Sequence, residues 1–110
     1  MEKINIKLLI NNSSAPYLYE GVASEKGDII SFKNNIEEII FDKKIERLTK
    51  INSKTTIIID FFNKQLIIKS KERAFNVDIE VFKKESSDNK YHYIYQINEE
   101  NIEFILEKEV

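Results

Sequence analysis

The sequence predicts an all-β fold, namely a small antiparallel up-and-down barrel of eight to ten strands. Its 110 residues are enough for one hydrophobic core. The apolar content is mostly Ile and Phe, together with five Tyr, and these residue types suit a pleated, half-buried surface. Short apolar runs separated by polar turns recur at hairpin spacing, and closing such a short meander removes exposed sheet edges. We therefore expect a single domain over residues 1–110.

The first strands are predicted from alternating apolar and polar residues. A first strand is expected over 3–10, where Ile and Leu recur at every second position. Residues 11–16 are expected to form a loop because Asn, Ser and Pro all favour turns. A second strand over 17–23 follows. The turn at 25–28 then leads into a third strand, since Gly27 can adopt a positive φ without steric cost.

The segment 36–51 is ambiguous. Apolar residues three and four positions apart suit an amphipathic helix. The polar stretch 42–44 instead suggests a turn between two strands at 37–42 and 45–51. Two strands match the rhythm of the rest of the chain, so we favour them and keep a helix as the alternative.

The second half of the chain is more regular. Residues 55–62 are apolar on both faces, which predicts a central strand, and 63–64 suit a two-residue hairpin turn. The most regular alternation in the chain predicts one strand over 74–82. The last two strands are expected at 91–97 and 101–107.

Two local patterns resemble those of a known family. One runs from Tyr19-Glu20-Gly21 through Gly27 to Phe32, and the other joins Tyr91–Ile97 to Glu103-Phe104-Ile105-Leu106-Glu107. The first pattern is similar to the early hairpin of the YwiB-like group of small bacterial proteins. The second is similar to the last two strands of that group. The resemblance implies a calycin, lipocalin-like barrel and supplies no catalytic residues.

Composition excludes several kinds of chemistry. The chain has no Cys, one His and two Gly, so thiolate metal sites, multi-histidine sites and Gly-rich phosphate loops are ruled out. We expect no metal, no cofactor and no catalytic residue, with His92 as an ordinary strand residue. Apolar runs are too short to span a membrane, and no signal-peptide pattern is present, so we expect a cytoplasmic protein without membrane contact.

A row of tyrosines gives the leading functional hypothesis. Tyr91, Tyr93 and Tyr95 fall on one face of a single strand, while His92 points to the other face. Phenols inside a barrel need hydrogen-bond partners, which is typical of a pocket for a ligand with a polar tip. The candidate ligand residues are Tyr17, Tyr19, Tyr91, Tyr93 and Tyr95. We expect non-enzymatic binding of a small amphipathic ligand in the barrel.

The second hypothesis depends on the basic segment 43–73, which contains nine Lys and Arg residues but only three Asp and Glu residues. Its candidate anion-binding residues are Lys43, Lys44, Arg47, Lys50, Lys69, Lys71 and Arg73. Such a surface could serve protein or nucleic-acid interaction. However, most of its cations are Lys, which lacks the planar fork that reads bases, so nucleic acid is disfavoured.

Two further expectations are weaker. An enzyme using scattered carboxylates has the least support because the adjacent pairs Glu37-Glu38 and Glu99-Glu100 point to opposite faces of a strand. If the barrel leaves strands unpaired, edge pairing allows a homodimer.

Overall fold

The computed structural model describes residues 2–12 and 16–109. It contains strands β1 (Glu2–Asn11), β2 (Tyr17–Lys26), β3 (Ile29–Lys33), β4 (Glu37–Asp42), β5 (Arg47–Asn52), β6 (Thr55–Asp60), β7 (Gln65–Ser70), β8 (Ala74–Asp78), β9 (Glu80–Ser86), β10 (Lys90–Ile97) and β11 (Glu100–Glu109). Residues 13–15 of the predicted loop at 11–16 lie outside the described residues, and Asn11 is the last residue of β1.

The structure confirms the predicted fold class. Within the described residues the protein is all-β and helix-free, with one antiparallel sheet of 11 strands. Neighbours in the sheet follow the order β8-β7-β6-β5-β4-β3-β2-β1-β11-β10-β9. The described residues contain no helix of the length and apolarity needed to cross a membrane.

The chain divides into two compact units. Unit 1 is formed mainly by Ala23–Asp78, and unit 2 by Ile4–Val22 together with Ile79–Val110, within the described residues. Unit 1 therefore contains the second half of β2 and the hairpin strands β3 to β8. Unit 2 contains most of β1, the first half of β2, and β9 to β11. The expectation of a single domain over 1–110 stays a prediction.

Each unit buries one face of its strands. In unit 1 the buried face consists of Ile30, Phe32, Ile39, Phe41, Leu48, Ile59 and Leu66. In unit 2 it consists of Ile6, Leu8, Tyr93, Tyr95, Phe104 and Leu106. Because successive side chains of a strand point to opposite faces, the alternation in the sequence fixes which residues reach these cores.

The ambiguous segment 36–51 forms two strands, as favoured, and the helical alternative is wrong. β4 pairs with β5 from Glu37↔Asn52 to Asp42↔Arg47. Glu46, in the turn between them, has a φ of 54°. That left-handed conformation cannot continue a right-handed helix.

The predicted strand 55–62 is two residues too long, and the two-residue turn at 63–64 is wrong. β6 ends at Asp60, which pairs with Gln65, so the turn contains residues 61–64. Phe61 and Phe62 continue the apolar run of β6 in the sequence, which concealed this boundary.

The predicted strand 74–82 is two strands, which raises the number of strands above the expected eight to ten. β8 pairs with β7, whereas β9 pairs with β10, and Ile79 separates them. A period-two pattern reports which face a side chain occupies, but it does not report a change of pairing partner. Phe75 and Phe82 are exposed.

Turns alternate between the two ends of unit 1. The turns at 27–28, 43–46 and 61–64 lie at one end, here called the aspartate end. The turns at 34–36, 53–54 and 71–73 lie at the other, here called the asparagine end. Consecutive hairpins in an antiparallel sheet require this alternation, so residues far apart in sequence meet at each end.

Candidate ligand pocket at the aspartate end of unit 1

Two turns of the same design lie side by side at the aspartate end. Asp42 Oδ1 accepts hydrogen bonds from Lys44 N at 3.0 Å and from Ile45 N at 3.4 Å. Asp60 Oδ1 likewise accepts from the backbone nitrogens two and three residues later, at 3.1 and 2.9 Å. Each aspartate thus forms an Asx turn, in which a side-chain oxygen replaces a backbone acceptor. The two aspartates are spaced 18 residues apart.

Backbone contacts join these turns to each other and to the neighbouring turn. Phe61 N donates to Glu46 O at 2.9 Å, and Lys43 N donates to Asp28 O at 2.8 Å. The Phe61 side chain is fully buried and anchors its turn, whereas Phe62 is 66% exposed. Most of the Phe62 side chain is therefore exposed to solvent.

A pocket of about 340 Å³ lies between the two turns. Its lining residues are Lys44, Ile45, Arg47, Asp60, Phe62 and Asn63. Small-molecule sites usually begin at roughly 300 Å³. Two other described pockets, of about 200 and 70 Å³, fall below that size.

Asp60 forms the buried base of this pocket. It is 3% exposed, and besides its two backbone donors its Oδ2 accepts from Arg47 Nη2 at 3.0 Å and from Asn63 Nδ2 at 2.9 Å. Burial alone would raise the pKa of Asp60, but hydrogen bonds from Asn63 and Arg47 outweigh it, so the net pKa is lowered. The carboxylate is therefore charged, and its ion pair positions the Arg47 guanidinium.

Arg47 supplies the cationic wall of the pocket. Its Nη2 is held by Asp60, while its Nε is buried without a hydrogen-bond partner. A buried donor left unsatisfied costs roughly 1–3 kcal/mol. With Lys44 also lining the pocket, two cations face one carboxylate, and Ile45 and Phe62 add apolar walls. This combination suits a small ligand with an anionic group and an apolar body.

The predicted tyrosine face belongs to unit 2. Tyr93 and Tyr95 are buried, and the Tyr93 ring packs against Phe104 with centroids 5.9 Å apart. Tyr91 and Tyr17 are half-buried. None of these tyrosines lines the three described pockets. Whether this face contacts a ligand stays a prediction.

Tyr19, the fifth candidate ligand residue, is engaged within its own strand. Its hydroxyl donates to Val22 O at 2.7 Å. Its ring also covers Gly21, where an added Cβ would lie only 3.0 Å from the hydroxyl oxygen. The glycine therefore leaves room for the ring, and the hydroxyl serves a local hydrogen bond.

The structure distributes the predicted basic residues over both ends of unit 1. Lys43, Lys44 and Arg47 lie at the aspartate end. The strand direction places Lys50, Lys69, Lys71 and Arg73 toward the asparagine end. Three of the seven form ion pairs: Lys43 with Glu25 at 2.9 Å, Arg47 with Asp60 at 3.0 Å, and Lys50 with Glu37 at 3.3 Å. The segment 43–73 therefore does not bring its candidate cations together at one end.

Sequence reasoning missed two polar arrangements. One is the contribution of Asp60, Ile45 and Phe62 to the pocket between the two aspartate turns. The signal in the sequence was an aspartate at the end of each of two strands, Asp42 and Asp60. The other is the pair of His92 Nε2 and Glu103 Oε2, 2.7 Å apart on neighbouring strands. Among the described residues, no group of three His, Cys, Asp or Glu side chains is arranged to hold a metal ion.

No family model, no curated protein and no solved structure matches this chain. The resemblance to the YwiB-like group stays a prediction.

Proposed function

We propose that this protein is a non-enzymatic binding protein for a small amphipathic anion. The observation that supports it most directly is the pocket between the two aspartate turns, where a guanidinium held by Asp60 lies beside the exposed ring of Phe62. The proposal keeps the class of function predicted from the sequence. It moves the site from the tyrosine face to the aspartate end of unit 1.

The chemistry of the pocket limits the ligand. Arg47 offers a permanently charged guanidinium, which can donate a hydrogen bond to a carboxylate, sulfonate or phosphate group while Asp60 holds its Nη2. The exposed Phe62 and Ile45 can cover an apolar body of modest size. A pocket near the lower limit of small-molecule sites favours a compact ligand over a long chain. We also propose that the protein is cytoplasmic and that it is related to bacterial proteins with a calycin-like barrel.

An amphipathic aromatic sulfonate, 1-anilinonaphthalene-8-sulfonate, is a suitable probe because it fluoresces when its rings leave water. We expect saturable binding to the native protein. Arg47→Ala should weaken this binding about tenfold, since it removes a hydrogen bond to a charged group. Phe62→Ser should weaken it to a similar extent by removing apolar contact area.

The matched control is Phe75→Ser. Phe75 is also an exposed phenylalanine of unit 1, but it does not line the pocket, so its substitution should leave the affinity unchanged. Circular dichroism checks that each variant is folded. Equal weakening by Phe62→Ser and Phe75→Ser, or no saturable binding to the native protein, would overturn the proposal.

A further inference from the structure

Strand β8 forms one edge of the sheet and directs backbone polar groups outward. Among the described strands, it pairs with β7 alone. In the turn that joins the two strands, Ser70 N donates to Arg73 O at 2.7 Å, so these residues form a hydrogen-bonded pair. Opposite residues of an antiparallel ladder alternate between hydrogen-bonded and non-hydrogen-bonded pairs. The residues whose N–H and C=O groups point away from β7 are therefore Ala74, Asn76 and Asp78.

Strand β9, at the other end of the sheet order, has features that discourage the addition of a further strand. Its pairing with β10 shifts register between Ile94 and Tyr95, which marks a β-bulge. Its exposed residues include the adjacent Lys83 and Lys84. Bulges and lysines keep sheet edges from pairing with other chains. Strand β8 contains no lysine and no proline, and its register with β7 is unbroken. It is therefore the edge that is open to another strand.

We infer that β8 pairs with β8 of a second copy of this chain, antiparallel, about a two-fold axis at Asn76. In this register Asn76 of one copy lies opposite Asn76 of the other, and Ala74 lies opposite Asp78 of the partner subunit. Each opposed pair joins groups that point away from β7, so the two strands exchange about six backbone hydrogen bonds, two for each of the three pairs. Other two-fold registers oppose fewer such residues within β8. This inference does not depend on the proposed ligand.

The apolar side chains of β8 favour the same register. Phe75 is 51% exposed, and in this arrangement it lies opposite Val77 of the partner subunit. Two such cross-strand pairs flank the axis on one face of the joined sheets. Covering an exposed phenylalanine removes apolar surface from water, which stabilises the association.

Charge complementarity supports this register on the opposite face. Within each copy Lys69 pairs with Ala74, and Asp78 of the partner subunit lies on the far side of that alanine. Alanine is small, so the exposed Lys69 side chain can extend across it toward the carboxylate. Moving the axis to Phe75 would instead place Asp78 opposite Glu72 of the partner subunit, and like charges directly opposite each other disfavour that register.

Sedimentation velocity tests the association, with protein concentration varied from low micromolar to near-millimolar. We expect the native chain to change from monomer to dimer. Asn76→Pro should weaken the dimer more than about tenfold, because it removes an N–H that points to the partner and is not used in pairing with β7. Asn76→Thr is the matched control. It keeps the N–H and suits a strand, so the dimer affinity should stay within about threefold of the native value.

Cysteine cross-linking tests the register in a chain that has no Cys of its own. Opposed residues of a hydrogen-bonded pair have Cα atoms about 5.5 Å apart, within the range that a disulfide spans. Under a mild oxidant, Asn76→Cys should therefore form a covalent dimer. Asp78→Cys should not, because its two copies lie about 13 Å apart along the strands. A mixture of Asp78→Cys and Ala74→Cys should cross-link, since these positions oppose each other.

A native chain that stays monomeric at every concentration would overturn the inference. A dimer that a folded Asn76→Pro variant leaves intact would do the same. So would Asp78→Cys cross-linking as readily as Asn76→Cys. If circular dichroism shows that Asn76→Pro is unfolded, the cysteine variants decide the question, because they change exposed side chains and keep every backbone donor.

Discussion

Asp60 is the residue on which most of the site depends. Its two carboxylate oxygens accept four hydrogen bonds, which close the turn at 61–64 and position Arg47. A buried carboxylate is tolerated only when its charge is matched in this way. The same residue therefore shapes the turn that exposes Phe62 and orients the cation that faces the pocket.

Asp60→Asn should lower the free energy of unfolding at pH 7 by about 1–3 kcal/mol, because Arg47 then lacks its anion. The folded pKa of Asp60 is lowered, so the carboxylate stabilises the fold above its unfolded pKa of about 4 and loses this effect as pH falls through the folded value. Urea unfolding should show that the difference between Asp60→Asn and the native chain shrinks below about pH 4. Asp88→Asn, at an exposed turn residue, should have little effect at either pH.

Tyr95, in unit 2, should make the stability of the fold depend on pH in the alkaline range, whereas Asp60 does so in the acidic range. It is 1% exposed, and burial raises the pKa of its phenol. A raised folded pKa means that stability is present below the unfolded value of about 10 and is lost as pH rises above it. Tyr95→Phe should make the free energy of unfolding less sensitive to pH between about 10 and 12. The expectation fails if both proteins lose stability equally over that interval.

At the level of elements, the strand boundaries that could be predicted are those next to turns with a clear signal in the sequence. The alternation of Ile4 to Ile10 predicted β1, and the turn residues 25–28, with Gly27 able to adopt a positive φ, predicted the β2–β3 hairpin. The boundary of β6 could not be predicted because Phe61 and Phe62 extend its apolar pattern into the turn. The hydrogen bonds of Asp60 and the left-handed conformation of Lys64 reverse the chain there, and an Asx turn leaves a weak signal in composition.

Two substitutions at left-handed residues test the importance of these turns. Gly27 has a φ of 58°, and a Cβ added there would meet no atom within 4 Å. Gly27→Ala should therefore destabilise the fold by about 1 kcal/mol through backbone strain alone. Glu99 has a φ of 68°, so Glu99→Gly should stabilise the fold by roughly 0.5 kcal/mol. Thermal unfolding measures both, and a destabilising Glu99→Gly would contradict the argument.

At the level of the whole molecule, the sequence predicted the all-β fold class and the shared face of Tyr91, Tyr93 and Tyr95 on one strand. It did not predict which residues converge from different turns. Lys44 and Arg47 were singled out for their charge, but their partners Asp60, Phe62 and Asn63 come from the next hairpin. Alternation along one strand cannot report such a neighbour. The pocket depends on the pairing of β5 with β6, in which Arg47 lies opposite Asp60.

Backbone amide chemical shifts, followed while the aromatic sulfonate probe is added, test the proposed ligand site most directly. The proposal predicts that the largest shifts fall on residues 43–47 and 60–64, and that Arg47→Ala reduces them. Shifts centred on residues 91–97 would place the ligand on the tyrosine face instead. That result, or the absence of any saturable shift, would contradict binding at the aspartate end.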